Sequence, residues 1–200
     1  MKDMPEEMPD HDALYQIAEE QAGYFTATQA RQAGFSSSLL SYHLDADRFD
    51  RVRPRIYRFV QFPASPHEDL HIASLQAGPD AVVSHDSALA LYDLSDRLPD
   101  QVHVTIPRTA SRRRPGLRLH TNRLEPEDVT HYEGLPVTTV SRTLVDVTTA
   151  GLAEEQVRQA IREALRRGLV SRERLLRRAT AHGGRIKRLV EETLHEGEQR

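Results

Sequence analysis

His67, Glu68 and His71 stand at the spacing HExxH, two imidazoles one helical turn apart with a carboxylate between them. On a helix that pattern binds zinc through both histidines and leaves the glutamate as general base for a hydrolysis. The surrounding residues point to a structural role. Ser65, Pro66 and Glu68 form a helix-start signal: serine as N-cap, proline at the first position and glutamate closing a capping box. A catalytic zinc also needs a third protein ligand, and Asp86, Asp93 and Asp96 sit in no second motif. The expectation is no metal and no cofactor, with Glu68 occupied in capping. A zinc-dependent hydrolase through His67, Glu68 and His71 is the catalytic alternative.

Other catalytic patterns are missing. Without cysteine there is no thiolate nucleophile, disulfide or thiolate metal site. No glycine-rich phosphate loop occurs, and no Gly-Ser with paired acids for nucleotidyl transfer. The lysines are Lys2 and Lys187, neither beside clustered carboxylates as a nuclease core requires. His85 with Asp86, and His131 with Asp128, read as surface or capping pairs. The expectation is therefore a protein that binds rather than catalyses.

Recognition chemistry is better represented. Ser37, Ser38, Ser41 and Tyr42 share the exposed face of one short helix and can bond phosphates or base edges. Arg51, Arg53, Arg55 and Arg58 crowd the hairpin that follows and can hold phosphates. Asp45, Asp47 and Asp50 oppose them by repelling a phosphate backbone. A second basic run, Arg112, Arg113 and Arg114, follows the clearest strand of the chain. It reads either as a solvated loop or as a clamp on phosphates or an acidic partner surface.

Those side chains need elements to position them, and the first third of the chain supplies a compact set. Leu14, Ile17 and Ala18 fall on one face of a helix over 12–21. Thr26 and Gln29 make a capping box for a short second helix that stops at Gly34. Serines 36–38 cap a third helix, with Leu40 and Leu44 turned inward. Residues 48–60 alternate as two strands around Pro54–Arg55. Three helices and a basic hairpin read as a winged helix-turn-helix, whose last helix enters a major groove.

Residues 61–65 read as a linker. Beyond it a helix runs to Ala77, and 81–85 is a short buried strand. Val102, Val104 and Ile106 alternate along 101–107, with 117–121 and 129–133 as expected antiparallel neighbours. Residues 135–139 lead into a helix with Leu144, Val145 and Val147 on one side, and further amphipathic helices close the chain. The fold class is α+β: a winged helix-turn-helix over 11–62, then a mixed domain over 66–200 with a small antiparallel-rich sheet and C-terminal helices. Residues 1–10 read as a disordered lead-in, acidic and without the apolar core of a signal peptide. No apolar run reaches the length of a membrane span, so the expected location is cytoplasmic. The net charge of −3 excludes a non-specific nucleic-acid coat but leaves room for one basic face.

The ordered series Gly34-Phe35-Ser36, Leu40, Arg48-Phe49, Arg51-Val52-Arg53 and Ile56-Tyr57-Arg58 resembles the N-terminal winged helix of the AbiEi antitoxins. Ser65 to Leu70, Ala81 to Ser84, Ser87 to Leu89, and Leu135 to Asp146 resemble the second domain of that family. The resemblance covers roughly residues 12–170. It implies an antitoxin of a type IV toxin–antitoxin system that represses its own promoter by binding an inverted repeat in double-stranded DNA. It also implies a C-terminal half that opposes a nucleotidyltransferase-like toxin, and residues 66–200 are expected to suffice for that task. Where the family carries glycine at the wing turn, this chain has Arg55. The alternative outside that family is a winged-helix regulator whose second domain senses a small ligand.

Overall fold

Local capping decides where the first helices begin. The Asp10 carboxylate accepts from the Ala13 amide at 2.9 Å and opens α1 (His11–Glu20). Thr26 and Gln29 exchange side-chain hydrogen bonds with each other's amides at the start of α2 (Ala27–Gln32). The Ser36 hydroxyl accepts from Leu39 and starts α3 (Ser37–Asp45). A computed structural model of the chain describes residues 8–96, 98–107 and 114–198. Most of the lead-in expected over 1–10 lies outside the described residues, as do Arg112 and Arg113.

The described chain divides into two units, residues up to Pro79 with Tyr132–Leu135, and the remainder. In the first, β1 (Tyr24–Thr26) pairs antiparallel with β3 (Ile56–Phe59), and β3 with β2 (Phe49–Arg53). The sheet order is β1-β3-β2. Leu14 and Ala18 of α1, Ala30 of α2 and Leu40 of α3 bury against Phe25, Phe35, Phe49 and Tyr57. Phe25 and Phe49 meet edge to face at 5.0 Å, as do Phe49 and Phe59 at 4.7 Å. This aromatic core fixes α3 against the hairpin, which is the geometry a winged helix needs.

The next helix begins later than its start signal suggests. α4 (Glu68–Ala77) has His67 as N-cap, and no side chain caps it. Ser65 accepts from the His67 amide instead, and the Glu68 carboxylate accepts from the Tyr24 hydroxyl at 2.8 Å. The expected capping role of Glu68 is therefore corrected: a hydroxyl from β1 takes the carboxylate that the local pattern assigns to the helix amides. Burial, reinforced by that hydrogen bond, pushes the Tyr24 pKa up. His71 stacks on the Tyr24 ring at 5.2 Å. These contacts join α4 to the first unit, so the division between units falls after Pro79 rather than within 61–65.

The second unit carries a five-stranded sheet of order β6-β5-β4-β8-β7, except for the segment Tyr132–Leu135 where β7 turns into β8. Its strands are β4 (Val82–Val83), β5 (Val102–Ile106), β6 (Leu117–Thr121), β7 (Val129–Tyr132) and β8 (Leu135–Thr138), with α5 (His85–Leu91) between β4 and β5. β4 pairs antiparallel with β5 and parallel with β8. β6 runs parallel to β5, and β7 lies beyond β4 and β8, which corrects the expectation that both are antiparallel neighbours of β5. Alternation fixes which face a side chain takes, not the direction of the next strand.

Four further helices complete it: α6 (Val140–Thr149), α7 (Glu154–Arg166), α8 (Arg172–His182) and α9 (Gly184–Glu198). α6 is buried from Val140 to Thr148, polar residues included. Its Arg142 holds two carboxylates at 2.8 Å, Asp146 one turn along and Asp128 just before β7. Asp128 in turn takes Arg178 of α8 at 2.6 Å. Cations and carboxylates thus alternate inside the unit, the arrangement that makes buried charge tolerable. Among the described residues, no helix is long and apolar enough to cross a membrane.

Candidate nucleic-acid interface

Helical geometry puts residues four apart on one side, and α3 divides accordingly. Leu40 and His43 turn into the core. Ser37, Ser38, Ser41 and Tyr42 stay exposed, and the Tyr42 side chain stands 56% exposed. Ser38 is half engaged already, its hydroxyl 2.9 Å from that of the N-cap Ser36. Asp45, one turn beyond Ser41, shares the exposed face. The side chains available to a groove are therefore small hydroxyls and one phenol, suited to base edges and phosphates alike.

His43 presses against Phe35, Phe49 and His11 on the inner face. Neither of its ring nitrogens has a hydrogen-bond partner. Burial, with His11 and Arg48 adding to it, holds its pKa below the ordinary histidine value. It serves the core as a neutral ring and is not offered to a ligand.

The hairpin splits its arginines into two kinds. Arg51, Arg53 and Arg55 are exposed and make no ion pair among the described residues. Arg58 is different. Its guanidinium bonds Asp50 at 2.7 Å and the Phe62 carbonyl at 3.0 Å, and its side chain is 16% exposed. Expected to hold a phosphate, Arg58 has its guanidinium engaged internally. Asp50 lies directly across the ladder from Arg58 and takes that guanidinium as its ion-pair partner. The signal was available in the sequence: a hairpin turning at Pro54–Arg55 sets residue 50 opposite 58 or 59.

Arg55 sits at φ 68°, the left-handed region that favours glycine. Its carbonyl accepts from the Ala27 amide at 2.9 Å, which ties the wing tip to the start of α2. A charged side chain thus occupies a strained position that glycine would relieve by about 1 kcal/mol. Replacing Arg55 by Gly is expected to raise the thermal midpoint while weakening DNA binding and lowering its salt slope by about one unit. Thermal unfolding beside a salt titration checks both directions, and a variant that binds DNA as well as the parent would remove Arg55 from the interface.

The HExxH residues do not converge. His67 lies 3.9 Å from Glu133, Glu68 is held by Tyr24, and His71 is buried in its stack. Burial, with His67 nearby, brings the His71 pKa down to about 4. No group of three His, Asp or Glu side chains among the described residues is arranged to hold a metal ion.

Sequence reading missed a polar cluster in the second unit. His85 is buried, not the surface or capping residue expected, and stacks on His120 at 3.5 Å. His103 approaches His120 at 3.4 Å and Asp86 at 3.7 Å. Of the second basic run, only Arg114 falls among the described residues. It is partly buried, and its Nη1 has no hydrogen-bond partner. The arginines of α7 are mostly engaged locally, Arg162 with Glu155 and Arg166 with Glu163.

Residues 12–60 match a family model described as a transcriptional regulator, AbiEi antitoxin. Residues 81–194, more than half of the chain, match one described as the AbiEi antitoxin C-terminal domain. No curated protein matches the chain.

Proposed function

The chain belongs to the AbiEi antitoxin family, and on that premise we propose that it represses its own promoter through the first unit and opposes a toxin through the second. The observation that carries the DNA reading is the shared exposure of α3 and the wing. Ser37, Ser38, Ser41 and Tyr42 face outward on one, and Arg51, Arg53 and Arg55 stand without ion pairs on the other. The helix face reads base edges of an inverted repeat in double-stranded DNA, and the wing arginines hold phosphates. The protein acts by binding, without catalysis or cofactor. Repression of its own promoter calls for a cytoplasmic protein.

The toxin it opposes is of nucleotidyltransferase type. Arg112, Arg113 and Arg114 are the contact proposed for this task, since guanidinium groups clamp carboxylates and nucleotide phosphates. A cut at 61–65 would strip α4 from the unit it packs in, so the test keeps the full chain. The neighbouring toxin is co-expressed with the parent, with Arg53→Ala/Tyr42→Ala, and with Arg112→Ala/Arg113→Ala/Arg114→Ala. The DNA-face variant is expected to protect growth while losing promoter binding, and the triple variant to bind DNA while losing protection. Loss of protection in the DNA-face variant, at normal expression, would overturn the division of tasks.

A further inference from the structure

The second unit holds an open cleft of about 630 Å³, within the size range of small-molecule sites. Asp86, Asp100 and Arg118 line it together with His103, and Leu98 and Leu152 supply apolar wall. Asp100 and Arg118 form no ion pair among the described residues. Among the described residues Asp86 meets the His103 ring, at 3.7 Å, and burial lowers the pKa of that ring.

The residues behind these groups are tied together by internal contacts. His85 enters α5 at φ 51°, a strained conformation for a side chain of its size. Its ring is stacked on His120, and its Nδ1 lies 2.9 Å from the Ser84 hydroxyl, which accepts from Thr105 at 2.8 Å. Asp86, the next residue, is thereby held at the cleft rim. Such a shell is what a preorganised site requires.

Two carboxylates and one guanidinium that pair with no opposite charge among the described residues are complementary to a ligand with one anionic and two cationic groups. A guanidinium takes a carboxylate by two parallel hydrogen bonds, the aspartates take ammonium or guanidinium groups, and the leucines accept an alkyl chain. We propose that this cleft binds a small basic zwitterion, an α-amino acid with a second cationic group. The site is independent of the DNA and toxin readings.

Calorimetric titration of the full chain with L-lysine, L-arginine and L-ornithine tests it, with putrescine and adenosine monophosphate as comparators. One basic amino acid is expected to bind once per chain with Kd of about 1 mM or tighter. Arg118→Gln should weaken it about tenfold or more while leaving putrescine unaffected, and Asp86→Asn/Asp100→Asn should weaken both. Circular dichroism confirms that these variants are folded. No binding of any of the three at about 10 mM would overturn the proposal. So would a preference for the nucleotide, or undiminished binding to the double aspartate variant.

Discussion

Replacing Arg142 by Ala is expected to destabilise the second unit by about 3–5 kcal/mol, a large share of the roughly 5–15 kcal/mol that holds a domain folded. Among the described residues Arg142 makes the one ion pair to Asp146, at 2.8 Å, and one of the two to Asp128. Asp146 is buried, and its second carboxylate oxygen already lacks a hydrogen-bond partner. Burial pushes its pKa up, with Arg142 the main force opposing that shift. Without the guanidinium, Asp146 must ionise unpaired or take up a proton. Asp128 keeps Arg178 and suffers less. Arg142→Ala combined with Asp146→Ala should therefore recover part of the loss, and urea unfolding of the two variants measures it. A loss below about 1 kcal/mol for the single change would contradict a stabilising network.

Acid should weaken both units before the carboxylate range is reached. Burial holds His85 near a pKa of about 3, and His71 and His120 at about 4. His103, His120, Arg118 and Arg142 face the His85 ring and lower its pKa further, and His67 does the same for His71. Asp86 works the other way on His120 and His103. The native state keeps these rings neutral, whereas the unfolded chain protonates them near 6.5. The stability they contribute is complete above pH 6.5 and is lost as pH falls toward 4. The expected slope is about 1.4 kcal/mol per pH unit for each ring that stays neutral. His71→Phe keeps a ring against Tyr24 and removes one proton from the balance, so it should flatten the slope by that amount. Urea midpoints between pH 7.5 and 5 that do not move would contradict this.

What the sequence made legible was local. The helix starts at Thr26 and Ser36 rest on side chains that reach amides three residues away, so pattern and structure coincide. Ser65 and Glu68 present the same pattern, yet Tyr24, forty-four residues earlier, takes the Glu68 carboxylate. Local spacing cannot register a competitor from another strand. β1 has three residues, too few for alternation to mark it. His85, His103 and His120 are scattered along the chain: the parallel register of β5 and β6, His103 opposite Arg118 and Thr105 opposite His120, brings two of them together, and the start of α5 adds His85. The exposed face of α3 was readable from its 3.6-residue period. The fate of Arg58 needed the hairpin register as well.

The proposed repressor role requires that this chain prefer one DNA sequence over others. Its most direct test is the affinity of the full chain for a labelled duplex spanning its own upstream inverted repeat, against a scrambled duplex of equal length, at about 150 mM salt. A preference of about a thousandfold or more is predicted for the native duplex. Equal affinity for the two duplexes, or no binding to either when salt is lowered to about 50 mM, would contradict it.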